Sequence, residues 1–375
     1  MIIKRLVSAS LVAGLLAACA STDNAPEPAK LTQITDYAQA KVVWHQDIGN
    51  AEDFVFRPAI DSDKVFVAER AGRVTVFDLK TGKQLASWKT SGPLSAGVAA
   101  AQGVVAVASE KGQLYLYDDT GALRWQTPAG TEVVATPVIA GDAVVVHASN
   151  GDVAAFSIED GKRRWIFQRA IPALTLRNTA PVAASGSILY AGLPAGKLVA
   201  LRRDDGNVLW DAVVAQPKGA TELERISDVT SVPVIDSDVV CAVAFQGKVT
   251  CFDASNGNPG WSRDVSSSVG LAADGTKVYV TDDTGSVLAY EKRSGRNLWK
   301  QAKLFARDVS APAVIGRFVI VGDLEGYVHF LSAEDGSFLT RIKTDGSAIR
   351  TAPVVVGDQV IVQTERGGIF ALFAN

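Results

Sequence analysis

The side chains of this chain best suited to covalent, acid–base or metal chemistry are three cysteines and three histidines. His45, His147 and His329 are far apart in the sequence. Activation of a nucleophile by histidine requires a hydrogen-bonded partner, and the sequence identifies no such partner for any of the three. The spacing of Cys, His, Asp and Glu also matches no metal-ligand pattern. The sequence therefore predicts no catalytic residue, no metal and no cofactor.

Cys19 ends a segment with the features of a secretory signal. Lys4 and Arg5 supply positive charge, and the apolar stretch that follows is too short to span a bilayer as a stable helix. The sequence Leu-Ala-Ala-Cys at residues 16–19 resembles the bacterial lipobox, which implies that residues 1–18 are removed and that Cys19 becomes a lipidated first residue. An ordinary secretory signal with an incidental cysteine is the alternative.

Residues 19–39 are polar and contain little to bury, which is typical of a flexible tether. Several acyl chains on Cys19 would anchor the protein stably in a membrane. Ala20, rather than Asp, follows the cysteine, and the resemblance to sorted lipoproteins then implies the periplasmic face of the outer membrane.

Cys241 and Cys251 lie on consecutive predicted strands, almost symmetrically about the turn at Gln246-Gly247. The compartment implied by the signal is oxidising. Two interpretations stay open, a cross-strand disulfide and a pair of buried free thiols, and neither implies catalysis.

The elements that carry these residues follow a repeat marked by tryptophan. All seven tryptophans recur at intervals of 37 to 51 residues, and Thr340 occupies the eighth position. Each unit has the pattern of four short strands, and self-similarity at about 40 residues predicts a β-propeller. The tryptophans, expected to pack between blades, are Trp44, Trp88, Trp125, Trp165, Trp210, Trp261 and Trp299. In the unit of Gly82 the tryptophan follows the turn glycine by six residues instead of four, which predicts a bulge or a longer turn in that blade.

The turn between the third and fourth strands occurs only seven times, because the last unit ends at Asn375 after three strands. The strand around Trp44 has no preceding partner. We therefore expect it to complete the last blade and close the ring, which removes an open sheet edge. The predicted fold is all-β, an eight-bladed propeller of four-stranded antiparallel blades over residues 40–375.

Composition agrees with a single large core, since 47% of the residues are hydrophobic and 21% are charged. The formal net charge of −3 becomes −5 once Lys4 and Arg5 are removed. A mildly acidic protein is a poor ligand for nucleic acid.

Two consecutive connections between units are longer than the others: Trp165 to Pro181 takes 16 residues and Trp210 to Pro233 takes 23, against 12 to 14 for most. Both join an outer strand to the next inner strand, so they emerge side by side on one face. Adjacent long loops on a rigid scaffold predict a binding site. The alternative is that the leucines of the first loop fold back and plug the ring.

The repeat itself resembles the PQQ-type propeller repeat of quinoprotein dehydrogenases, which implies a PQQ-dependent periplasmic enzyme as one alternative function. Those enzymes use adjacent cysteines and a set of acids and amides that ligate calcium. This chain has neither, and the sequence favours a protein that is not an enzyme.

The lipobox, the tether, eight such repeats and the two loop sequences together resemble the BamB family, lipoproteins of the outer-membrane β-barrel assembly (BAM) machinery. The resemblance covers the whole chain and implies a scaffold that binds the POTRA domains of BamA. It implies Leu174, Leu176, Arg177 and Asp228 as the partner-binding residues. The family pattern has a second Asp where this chain has Thr230. Apart from the resemblance, a second expected activity is the capture of unfolded client strands by pairing with outer blade strands.

Overall fold

The computed structural model describes residues 26–35, 37–177 and 180–375, so the predicted signal peptide and Cys19 lie outside the described residues. The described chain forms 32 β-strands. They make eight four-stranded antiparallel sheets arranged as the blades of a ring. None of the described residues forms a helix, and so this part of the chain offers no apolar helix that could cross a bilayer.

The strands of blades 1 to 4 follow one another along the chain. They are Ala59–Asp61 (β2), Lys64–Ala68 (β3), Arg73–Asp78 (β4) and Gln84–Lys89 (β5); Leu94–Ala101 (β6), Val104–Ser109 (β7), Gln113–Asp118 (β8) and Leu123–Pro128 (β9); Val138–Ala140 (β10), Ala143–His147 (β11), Val153–Ser157 (β12) and Arg163–Phe167 (β13); Ala183–Ser185 (β14), Ile188–Leu193 (β15), Lys197–Arg202 (β16) and Val208–Val213 (β17).

Blades 5 to 8 repeat this order, with the first strand of the chain in the last blade. Their strands are Val234–Asp236 (β18), Val239–Val243 (β19), Lys248–Asp253 (β20) and Pro259–Asp264 (β21); Gly270–Ala273 (β22), Lys277–Thr281 (β23), Val287–Glu291 (β24) and Asn297–Gln301 (β25); Ala313–Ile315 (β26), Phe318–Gly322 (β27), Tyr327–Ser332 (β28) and Phe338–Lys343 (β29); Val354–Val356 (β30), Gln359–Gln363 (β31), Gly368–Ala374 (β32) and Ala40–Asp47 (β1).

The ring is closed by β1, which pairs antiparallel with β32 in a register that runs from Ala40 opposite Ala374 to Asp47 opposite Gly368. The predicted eight-bladed propeller and its closure by the N-terminal strand are confirmed. In every blade the second and third strands are almost wholly buried, because their apolar side chains face the neighbouring blades on both sides.

Tryptophans join successive blades. The ring of Trp44 stacks on the turn glycine of blade 1, where a Cβ on Gly82 would lie 2.6 Å from the indole. The indole Nε1 donates to the Leu79 carbonyl of the same turn at 2.8 Å. The other tryptophans that donate in this way to the next turn are Trp125, Trp165, Trp210, Trp261 and Trp299.

Blade 1 departs from this rule, but not as the sequence predicted. A bulge between the third and fourth strands is present there as in the other blades, so no special bulge or longer turn is added. Instead Ala86 lies opposite Val76, and Trp88 lies two residues further along, opposite Val74. Trp88 still covers Gly121 of the next blade, but its buried Nε1 has no hydrogen-bond partner.

The blade 7–8 junction lacks both a tryptophan and a turn, for one reason. Blade 8 takes its outer strand from the start of the chain, so no turn glycine exists there for an indole to cover, and Thr340 stands in the tryptophan position. The chain before β1 occupies this place. Ala38 is buried in the cluster between blades 7 and 8, and the Tyr37 amide donates to the Leu339 carbonyl at 2.9 Å.

Residues 29–35 and 37–39, together named the strap, lie along the outer strand of blade 7. The sequence predicts a flexible tether over residues 19–39. In the structure the apolar side chains of Leu31 and Ala38 pack on the ring.

Candidate partner-binding site

The two long loops lie on the face where each outer strand connects to the next inner strand. Below, this is called the loop face. The first loop is described over residues 168–177 and 180–182, and the second over residues 214–233. They touch directly, since the Leu176 amide donates to the Asp228 carboxylate at 2.7 Å. The predicted adjacency of the two insertions therefore appears as a hydrogen bond between them.

Both ends of the first loop are held by the blades beside it. At its start, Arg169 forms an ion pair with Asp211 of blade 4 at 2.8 Å. At its end, Nδ1 of the buried His147 lies 3.0 Å from the Ala180 carbonyl, so the ring donates from Nδ1. Burial lowers the pKa of His147, which keeps it neutral.

The middle of this loop exposes the predicted leucine and arginine. Leu174 is 41% exposed, Arg177 is exposed, and Leu176 is half-buried. Leu174 does not plug the ring but presents apolar surface to solvent. An exposed leucine beside an arginine is a combination found at the centre of protein interfaces.

Arg177 is positioned by groups from two other blade connections. It pairs with Glu132 at 2.7 Å, and its guanidinium carbon lies 5.0 Å from the centre of the Phe54 ring. Arg70 approaches the same ring at 4.2 Å. Phe54 and Glu132 were not predicted from the sequence. Nothing in the local pattern marks them, since each lies in an ordinary-length connection.

Asp228 differs from the other residues of the predicted patch in its burial. It is only 3% exposed, and its carboxylate is turned toward backbone amides of the protein itself. Its second carboxylate oxygen accepts from the Ala195 amide at 2.9 Å, in addition to the bond from Leu176. Asp228 is thus an internal brace that joins the first loop, the second loop and the β15–β16 turn.

The second loop has a buried stem and an exposed tip. Residues 226–231 are buried, whereas residues 216–225 are exposed, and Leu223 at the tip is 67% exposed. The tip is a fixed turn, because the Glu224 carboxylate accepts from the Thr221 amide at 3.1 Å and the Thr221 hydroxyl accepts from the Glu224 amide at 3.2 Å. The Thr-x-x-Glu pattern is a capping box, and it was the available signal for an ordered, projecting Leu223.

A groove of about 380 Å³ opens beside the first loop, next to Asp228's contact at Ala195. Its apolar wall is formed by Ile171, Pro172 and Leu193. Arg169 and Lys197 line it as well, so the groove can accept an apolar side chain next to an acidic group.

Cys241 and Cys251 form a disulfide in the structure, directly opposite each other on β19 and β20. Both cysteines are buried in the cluster between blades 5 and 6, away from the long loops. Within the described ranges, no group of three or more His, Cys, Asp or Glu side chains is placed to hold a metal ion.

The family model described as "Outer membrane protein assembly factor BamB" matches residues 70–301 and 284–375. A relative of that name from Burkholderia pseudomallei is 40% identical over 359 residues, covering 95% of this chain and 94% of its own. The crystal structure of BamB from Moraxella catarrhalis superposes with a TM-score of 0.83 at 24% identity, over 89% of this chain and 100% of that chain.

A quinohemoprotein alcohol dehydrogenase from Comamonas testosteroni is also similar, with a TM-score of 0.71 over 89% of this chain and 76% of its own. At 12% identity this likeness shows a shared fold and nothing about activity.

The fold and the loop face define a class: an eight-bladed propeller of PQQ-type repeats with two adjacent long loops on one face. Within that class, the chain belongs to the family of the outer membrane protein assembly factor BamB.

Proposed function

We propose that this protein is a non-enzymatic scaffold of the BAM complex that binds the POTRA domains of BamA and promotes folding and insertion of outer-membrane β-barrel proteins. The observation that carries the proposal is the first long loop, which exposes Leu174 and Arg177. Its backbone is held by the Leu176 amide bonded to Asp228 and by the Ala180 carbonyl bonded to His147, and the Arg177 side chain is held by Glu132. A loop that is already ordered loses little conformational entropy when it binds a partner. Less of the interaction free energy of its apolar and charged side chains is therefore offset by ordering, and more of it appears as binding affinity.

The residues of the site take different roles in this proposal. Leu174 and Arg177 contact the partner, and the exposed Leu223 extends the contact surface to the second loop. Leu176 contributes the edge of its half-buried side chain. Asp228 holds the loops in place and makes no direct contact.

We also propose that Cys19 carries the lipid anchor and that the protein lies at the periplasmic face of the outer membrane. Relatives named as outer membrane protein assembly factors support that location. A protein tethered there would meet its partner within the plane of the membrane, which raises the effective concentration of the two.

The test is affinity purification of the tagged full-length protein from its own membranes, with bound proteins identified by mass spectrometry. Variants Leu174→Glu and Arg177→Ala are compared with Leu123→Glu, which places the same charge on an exposed leucine of the outer strand β9 in blade 2. We expect a POTRA-containing barrel protein with the parent and with Leu123→Glu. We expect it to be depleted about tenfold or more with the two loop variants, as for anchor residues that contribute about 2 kcal/mol. Equal recovery with all three variants would remove the loop from the partner site.

An accessory role in holding unfolded client strands is favoured by one outer strand. β17 exposes Val208, Leu209 and Val213 at the perimeter of blade 4, where its edge has no strand partner within the described chain. An edge strand with apolar side chains can accept another strand. Photo-cross-linking from Val208 should capture client barrels more efficiently than from Lys80, an exposed residue in the turn between the third and fourth strands of blade 1. Equal capture would argue against this role.

A further inference from the structure

The strap ends in contact with a buried polar cluster of blade 7 that the proposed function does not use. Arg307 is 3% exposed in its side chain and pairs at 2.8 Å with Asp323, which is fully buried. A second interaction joins Arg307 to Glu325. Its remaining terminal nitrogen donates to the carbonyl of Ala29 at 2.9 Å. The Ala29 amide in turn donates to the Phe305 carbonyl at 2.9 Å, so both polar groups of this peptide segment are satisfied by the ring.

The same cluster reaches the strap at a second point. His329 Nε2 lies 2.9 Å from the Asp323 carboxylate, and Arg341 donates to His329 Nδ1 at 3.0 Å. His329 is therefore neutral, with its proton on Nε2. Arg341 also points a guanidinium nitrogen at the Thr32 carbonyl, at 3.4 Å. Two arginines of one buried network thus face two carbonyls of the strap.

Apolar contacts accompany these hydrogen bonds. Leu31, between the two bonded carbonyls, packs against the cluster between blades 6 and 7, whose members include Leu304 and the partly buried Phe338. We propose that the Arg307–Asp323–His329–Arg341 network is a binding site for the protein's own N-terminal segment, and that it sets where the membrane tether leaves the ring.

The strap runs from one face of the ring to the other. Ala40 pairs with Ala374, at the end of blade 8 opposite the loop face, and the strap climbs from there along blade 7 to Phe305. Phe305 lies in the connection between β25 and β26, which belongs to the loop face. The tether therefore leaves from the same face as the partner loops, at the rim between blades 6 and 7.

The docked strap also shortens the tether. An extended chain spans at most about 3.3–3.6 Å per residue, so the ten residues from Cys19 to Ala29 reach about 35 Å, whereas the twenty from Cys19 to residue 39 would reach about 70 Å. Docking halves the distance that the loop face can move from the bilayer. This last step rests on the proposed lipidation of Cys19; the docking itself does not.

The experiment compares Leu31→Asp with Gln33→Asp in the full-length protein. Leu31 is half-buried on the ring and Gln33 is exposed, so both variants add one charge to the strap and only the first opposes docking. Neither residue is part of the ring, and thermal unfolding should be unchanged in both. Hydrogen exchange at the Ala29 and Tyr37 amides is measured first. We expect protection in the parent and in Gln33→Asp, and a loss of about tenfold or more in Leu31→Asp. Equal protection in the two variants, or none in the parent, would overturn the docking site.

The second measurement is energy transfer from a dye at Phe305→Cys to acceptor lipids, with the lipidated protein on vesicles of phosphatidylethanolamine and phosphatidylglycerol. Transfer should fall in Leu31→Asp relative to Gln33→Asp, because the longer tether lets the loop face move away. If energy transfer is unchanged in Leu31→Asp although amide protection is lost, the docked strap does not limit the distance between the loop face and the bilayer, and this part of the proposal is wrong. Failure of the protein to bind vesicles, with amide protection intact, would instead reject the lipid anchor and leave the docking site standing.

Discussion

Replacing Asp228 tests whether this residue acts on a partner directly or through the loops. Its buried carboxylate accepts two backbone hydrogen bonds, from Leu176 at 2.7 Å and from Ala195 at 2.9 Å. Hydrogen bonds to a charged group contribute about 1.5–3 kcal/mol each. Both amides lie near the surface and can regain water, so Asp228→Ala should lower the free energy of unfolding by about 2–4 kcal/mol.

The same change should weaken partner binding without removing any contact atom. Without the Asp228 carboxylate, the backbone around Leu176 becomes mobile and must be ordered again when the partner binds. Ordering one residue costs about 1–2 kcal/mol of conformational entropy, and this cost corresponds to an affinity about tenfold lower. Asp228→Asn keeps one acceptor and should fall between Ala and the parent. Leu174→Ala is the matched contrast, because this exposed side chain should affect affinity and leave unfolding unchanged.

The assay combines urea unfolding, hydrogen exchange at the Leu176 and Ala195 amides, and titration with purified POTRA domains. If Asp228 acts by holding the loops, the free energy of unfolding, the protection of the two amides and the affinity for the POTRA domains should all decrease in Asp228→Ala. If affinity falls while stability and protection stay at the level of the parent, Asp228 contacts the partner itself and the reasoning is wrong.

Three further predictions concern the ring. Cys241 and Cys251 form a disulfide, so thiol labelling of denatured, non-reduced protein should leave both cysteines unmodified. Replacing both with serine should lower the free energy of unfolding by about 3 kcal/mol, as expected for the short loop that the disulfide closes. Burial lowers the pKa of His147, so as the pH falls this histidine is protonated in the unfolded chain before it is protonated in the folded protein. The free energy of unfolding should therefore decrease below about pH 6.5, and it should decrease more in the parent than in His147→Gln. Urea unfolding of both proteins at pH 7.5 and 5.0 measures this difference. Gly206→Ala should lower the melting temperature more than Gly316→Ala does, since both have positive φ but only Gly206 lies against an indole; equal shifts would mean that backbone strain alone matters.

Much of the fold could be predicted because a propeller repeats its constraints. Trp165 and Gly206 mark the contact between two blades, and the same pair of positions recurs at most other junctions, so periodic spacing alone reveals the blades. The missing eighth turn likewise predicted closure by β1, because an unpaired strand and an incomplete blade can satisfy each other's backbone groups.

The site was only partly predictable. Loop length predicted that the two insertions would lie side by side, and the hydrogen bond between Leu176 and Asp228 joins them, with Leu174 and Arg177 exposed. Sequence patterns could not show that Asp228 is buried, because its two hydrogen-bond donors come from segments 52 and 33 residues away. Whether a charged side chain faces solvent or braces a loop depends on where distant amides are placed.

The sequence by itself determined the number of blades, the order of their strands and the position of the long loops, since these follow from residue types at regular intervals. Only the tertiary structure decided that the strap lies on the ring, with Leu31 and Ala38 packed against it. The strap is polar and irregular, and its contacts with Arg307 and Arg341 join residues about 280 and 310 positions apart. Such contacts arise only when ring closure brings the two ends of the chain together.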